Sequence, residues 1–196
     1  MKILLLIAAA IAAGCSSTPP PPDWRTNSHG ALQAFERGYL AGDSRLADAE
    51  FARGRAELAR TGRADLVARA ELLRCALRVA SLEFDACPGF EALRRDTGAN
   101  EAAYADYLAG RGPRPGAAPA DDPLSRLVAA GVQMRSASLP PQGVAAAVDI
   151  ASAQGWRRPL LAWLRVQLER AEKAGEGDAA DRIRRRIELV IRPAGG

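Results

Sequence analysis

Arg63-Ala64-Asp65-Leu66-Val67-Ala68-Arg69-Ala70-Glu71-Leu72-Leu73-Arg74-Cys75-Ala76-Leu77-Arg78-Val79-Ala80-Ser81 is the stretch on which the fold turns. Leu66, Ala70, Leu73 and Leu77 recur at three- and four-residue spacing and so line one face of a helix. Ala68, Leu72 and Val79 line a second. A helix with one apolar stripe lies on a surface, whereas one with two is covered from both sides. This segment is expected to be an inner helix around which its neighbours pack.

Working outward, the punctuation is that of helices. Ser28 is expected to cap a helix running to Ala41 and closed by Gly42, with Leu32, Phe35 and Tyr39 on one face. Asp43 or Ser44 opens the next, to about Arg60. Its Leu46, Ala49, Ala52, Ala56 and Ala59 form a stripe of mostly small residues suited to close helix contact. Beyond Ser81, Pro88 fits the first turn of a short helix ending at Gly98, and Asn100 is expected to cap another to about Ala109. The run from Gly110 to Pro119 is rich in Pro and Gly and has no periodicity, which marks a linker or long loop. Asp122-Pro123 restarts the helical pattern. Helices follow from Pro140-Pro141, from Pro159 and after Asp178, the last with Ile183, Ile187 and Val190 inward.

Alternating runs bounded by hairpin turns do not occur, so the fold is expected to be all-α. The organisation read from these signals is a leader at 1–14, a cysteine and Pro-rich tether at 15–27, helices at 28–110, a linker or loop at 111–122 and helices at 123–192. Whether the two helical segments share one core is left open by the sequence. The first and third helices are expected to start about 34 residues apart, and Ala34, Gly38 and Ala41 occupy small positions where helices could cross. In this the chain resembles tetratricopeptide repeats, over residues 28–81 and more loosely 141–191. The resemblance implies helical hairpins stacked as a short solenoid; an irregular bundle is the other arrangement that fits.

The leader carries one positive charge, Lys2, then an apolar run from Ile3 to Ala13 that is shorter than the roughly 20 residues needed to span a bilayer. Ala12-Ala13-Gly14-Cys15 resembles the bacterial lipobox, with Ala12 standing where Leu is usual. That resemblance implies that Cys15 is lipidated and becomes the mature N-terminus, anchoring the protein in a membrane. Ordinary cleavage near residues 10–12, leaving Cys15 a plain thiol, is the other reading. Ser16 after the cysteine resembles the pattern of lipoproteins sorted to the outer membrane. Pro19 to Pro22 lock a stiff polyproline stalk.

An exported chain matures in an oxidising compartment, and Cys75 and Cys87 remain as an even pair, so a disulfide is expected. If the helix of Cys75 ends near Ser81, the return distance is about 9 Å, which the six residues to Cys87 cover. Lysine and arginine number 27 against 23 acids, spread along the chain, which argues against a dedicated polyanion binder and leaves nucleic acid out as a partner. His29 is the only histidine, which excludes a two-histidine metal site and disfavours a Ser-His-Asp triad. No P-loop or dinucleotide fingerprint occurs, and no cofactor or metal is expected. Asp121-Asp122 and Glu176/Asp178 bring carboxylates together only at helix starts, where they favour the dipole.

Gly155-Trp156-Arg157-Arg158-Pro159-Leu160-Leu161-Ala162-Trp163 is the most distinctive local run. Trp156 and Trp163 either close the core at a helix corner or, with Arg157 and Arg158, form a partner-binding anchor, since Trp and Arg are enriched in binding hot spots. If Leu160, Leu164, Leu168 and Ala171 face inward, Trp163 is expected to be partly exposed and Trp156 structural. Arg182, Arg184, Arg185 and Arg186 are either a solvated face or a site for phosphate or polysaccharide. The functional expectation is a non-enzymatic lipoprotein of the outer membrane, facing the periplasm and serving an envelope complex as an assembly factor, pilotin or scaffold. An envelope lipid- or glycan-binder using the Trp156/Arg157/Arg158/Trp163 corner is the alternative, and a cell-wall enzyme the third.

Overall fold

The computed structural model describes residues 21–116 and 121–192, and every regular element among them is helical. The lipobox with Cys15 and the first prolines of the stalk lie outside the described residues. In order the helices are α1 (Asp23–Ala41), α2 (Ser44–Ala59), α3 (Ala64–Ala80), α4 (Pro88–Glu91), α5 (Ala99–Leu108), α6 (Pro123–Arg135), α7 (Gly143–Ala153), α8 (Arg157–Lys173) and α9 (Gly177–Ile191). A 3-10 turn at Arg94–Asp96 separates α4 from α5.

Helix α3 is the axis of the molecule, as its two apolar stripes require. It contributes Val67, Ala70 and Leu77 to a first core with Phe35, Phe51 and Leu58 of α1 and α2. It contributes Ala68, Leu72, Ala76, Val79 and Ala80 to a second, larger core shared with α5 to α9. Tyr107 and Leu108 meet Leu127 and Val128 in that second core. Helices on both sides of residues 111–122 therefore share one core.

Several helix boundaries differ from expectation. Helix α1 begins at Asp23, not Ser28, because Asp23 complements the dipole of the first turn and Trp24 packs on the first core. Ser28 is buried inside the helix, its hydroxyl donating to the Arg25 carbonyl at 3.2 Å. The interval from Asp23 to Ala64 is accordingly wider than the 34-residue period. Asn100 lies inside the first turn of α5, which follows Gly98 without a side-chain cap. The expected helix from Pro88 to Gly98 is broken into α4 and the 3-10 turn. Asp43 and Asp122 do cap α2 and α6, accepting from the Leu46 and Ser125 amides at 3.0 and 2.8 Å.

On α2 the stripe of small residues is the wrong face. Ala47, Phe51, Gly54 and Leu58 are buried, while Leu46, Ala49, Ala52, Ala56 and Ala59 are exposed. Burying Phe51 and Leu58 is worth about 1.5–3 kcal/mol each, far more than a row of methyl groups contributes. The α1–α2 crossing is instead close at two glycines. A Cβ on Gly54 would stand 3.1 Å from Leu32 Cγ, and one on Gly38 would stand 3.2 Å from Leu46 Cγ. The α3–α6 crossing is closer still: a Cβ on Gly131 would lie 2.2 Å from the Val79 carbonyl oxygen.

Cys75 and Cys87 are bonded, with their Cα atoms 5.8 Å apart. The bridge ties the short α4 segment to α3. Phe90, one turn further on, is fully buried in the second core.

Candidate functional site

The Trp/Arg corner is engaged within the fold. Trp163 is 0 % exposed, and its indole Nε1 donates to the Ala80 carbonyl at 3.0 Å. The expectation of a partly exposed anchor is thus overturned for Trp163. Helix α8 is covered on two sides, by α7 and by α9, so the mean direction of its leucines does not mark its only buried face. Trp156 is half-buried where the first and second cores meet.

The two arginines of the corner bind helix C-termini. Arg157 donates from Nε and Nη2 to the Val190 and Ile191 carbonyls at 3.0 and 3.1 Å, at the last turn of α9. Arg158 donates to the Tyr39 carbonyl at 2.8 Å, to Ser44 Oγ at 2.7 Å and to Glu83 Oε1 at 3.1 Å. Its guanidinium also stacks 4.3 Å from the centre of the Tyr39 ring. A cation at the negative end of a helix, with a planar fork that fits paired acceptors, is favourable on both counts. Burial and the neighbouring Glu83 carboxylate push the Tyr39 phenol well above its ordinary pKa. These four residues join α8 to α1, α3 and α9.

An opening of about 590 Å³ lies at this corner, lined by Ser44, Glu83, Arg157, Arg158 and Arg165, and a more apolar one lies between α3, α5 and α6. It is a groove of about 570 Å³ with a floor of Leu72, Leu73, Ala76, Leu124 and Val128. Its rim is polar. Arg69 Nε donates to Glu101 Oε1 at 2.8 Å, and Arg114 reaches Ser125 Oγ at 3.4 Å. Tyr104 forms one wall, and burial raises its phenol pKa. Burial also pushes the Asp122 carboxyl upward, but hydrogen bonds from Ser125 outweigh it and hold the group below the ordinary range. An apolar trough of this size with a charged edge suits an apolar side-chain row bordered by polar groups.

Sequence reasoning did not find this groove. The trough is lined by residues of α3, α5 and α6 together, which the periodicity of one helix does not reveal. A second feature it missed is Glu71, only 5 % exposed on α3. Its carboxylate accepts from Arg55 Nε at 2.7 Å and lies against Gly89, where a Cβ would fall 2.1 Å from Oε2. An acid at mid-helix, flanked by the residues of two apolar stripes, was the available signal.

Among the described residues no group of three or more His, Cys, Asp or Glu is placed to hold a metal ion. No helix among them is long and apolar enough to cross a membrane. No family model, curated protein or solved structure matches this chain.

Proposed function

We propose that this chain is a non-enzymatic lipoprotein, held through Cys15 on the periplasmic side of the outer membrane, that serves an envelope complex by protein contact. The leader ending in Ala13-Gly14-Cys15, Ser16 and the proline stalk support the location. The groove between α3, α5 and α6 is the observation that carries the activity. An amphipathic helix or extended segment of a partner would place apolar side chains on Leu73, Tyr104 and Leu124 and polar ones against Arg69, Glu101 and Arg114.

Leu124→Glu puts a charge on the floor of that groove. Co-purification from solubilised membranes should recover a stoichiometric protein with the wild type and lose it by about 30-fold with this variant, as for a hot spot of about 2 kcal/mol. The melting temperature, measured alongside, separates lost binding from lost fold. A partner that remains bound to a folded Leu124→Glu protein removes the groove from the reading. A stoichiometric lipid or glycan in place of a protein favours the alternative class. Radiolabelled fatty acid should mark the wild type and not Cys15→Ala, and a label that survives the substitution ends the lipoprotein reading.

A further inference from the structure

Helix α9 carries its charges in an unusual arrangement. Ile183 is buried, and Ile187 and Val190 are half-buried, so the opposite side is solvent-facing. On that side Arg182, Arg185, Arg186, Leu189 and Arg192 follow one another at three- and four-residue spacing and form one stripe about 15 Å long. Leu189 is 76 % exposed, the most exposed large apolar side chain among the described residues. Arg184, off the stripe, is paired with Asp181 and Glu172. None of Arg182, Arg185, Arg186 and Arg192 has a carboxylate partner among the described residues, whereas half of the other cations there do. Asp178, Asp181 and Glu188 stand three or four residues from Arg182, Arg185 and Arg192, and Asp181 is engaged by Arg184.

We infer that this stripe is a contact surface for the anionic headgroups of a phospholipid bilayer. Four unpaired guanidiniums offer donor forks that fit phosphate oxygens. Leu189, in their midst, is placed to enter the boundary between headgroups and acyl chains, as apolar residues of interfacial helices do. The inference rests on the lipid-anchored reading for the presence of a bilayer within reach. Residues 15–22 reach about 25 Å when extended, close to the length of α1, so the tether permits the body to lie against the membrane. The stripe would then orient a body that the anchor alone leaves free to turn.

The test uses the mature chain with Cys15→Ala, so that no acyl chain contributes. It should co-sediment with phosphatidylethanolamine vesicles containing about a quarter phosphatidylglycerol and be released as salt rises from about 0.05 to 0.5 M. Each arginine near an anionic surface is worth about fivefold, so Arg185→Glu/Arg186→Glu should weaken binding about 25-fold or more. Leu189→Ser should weaken it about tenfold. The control pair Arg37→Glu/Arg45→Glu changes net charge equally on exposed positions of α1 and α2 and should leave binding nearly unchanged. Absence of binding, equal binding to phosphatidylcholine vesicles, insensitivity to salt, or an equal loss in the control pair would each overturn the inference. The fatty-acid label at Cys15 is read separately, so failure of the anchor and failure of the stripe are distinguishable.

Discussion

Toward α1 and α2, helix α3 presents Val67, Ala70 and Leu77, which meet side chains: Phe35 and Phe51, with ring centres 4.9 Å apart, and Leu58. Toward α6 and α8 it presents backbone as much as side chain. The Val79 carbonyl lies against Gly131, and the Ala80 carbonyl accepts the Trp163 indole. Side chains can rotate and yield by tenths of an ångström, whereas a helix backbone moves only as a unit. The second face of α3 should therefore tolerate far less change than the first, although both are equally dry.

The largest test of that difference is Trp163→Ala. It empties the centre of the second core and leaves the Ala80 carbonyl without its donor, so a loss of about 3–5 kcal/mol is expected in denaturant melts. A loss below about 1 kcal/mol would mean that α8 is not held to α3 through this indole. Next comes the Cys75–Cys87 bridge, whose short loop is worth about 3 kcal/mol on the chain-entropy model. Alkylation of the unfolded, non-reduced protein should find no free thiol among these two, and the double Ser variant should melt correspondingly lower.

The two mid-helix glycines sharpen the comparison because they share chemistry and differ only in neighbour. Gly131→Ala gains about 1 kcal/mol of helix propensity but drives a methyl into the Val79 carbonyl, so a net loss of about 1–3 kcal/mol is expected. Gly54→Ala meets only the Leu32 and Ala31 side chains at 3.1 and 3.2 Å. Leu32 can rotate away while the Ala31 Cβ moves only with its helix, so the same propensity gain offsets most of the crowding and stability should fall by less than about 1 kcal/mol. Equal losses at the two positions would erase the distinction between the faces.

How much of this was legible in the sequence depended on residue size and range. The inner position of α3 could be read because leucines and valines mark both its stripes. The buried face of α2 could not be read from alanines, whose small transfer energy lets them lie on either side; Phe51 and Leu58 decided it. Ser28 and Asn100 have the chemistry of caps but lie within helices, since a polar residue signals a helix start only where the preceding chain cannot be helical. The burial of Trp163 depended on α8 having neighbours on two sides, which one helix's periodicity does not reveal. For the site, the corner arginines were singled out, yet their acceptors lie 33 to 119 residues away and have no local signature. The α3–α5–α6 groove is a property of three helices together and was invisible in any one of them.

The reach from Ala80 to Trp163 also has a meaning in time. Synthesis proceeds from the N-terminus, and once Ala80 has emerged the residues of the first core are all present. Trp163 is added 83 residues later, roughly 4–17 s afterwards at about 5–20 residues per second. Within that interval α5 and α6 are added and bring Gly131 against Val79, so what stays open to the end is the Ala80 carbonyl and the part of the second core that α7 to α9 close. Apolar surface that waits for its cover in this way is prone to aggregate, and is the kind of surface that holding chaperones bind. Shortening the chain before α8 would make that transient state permanent.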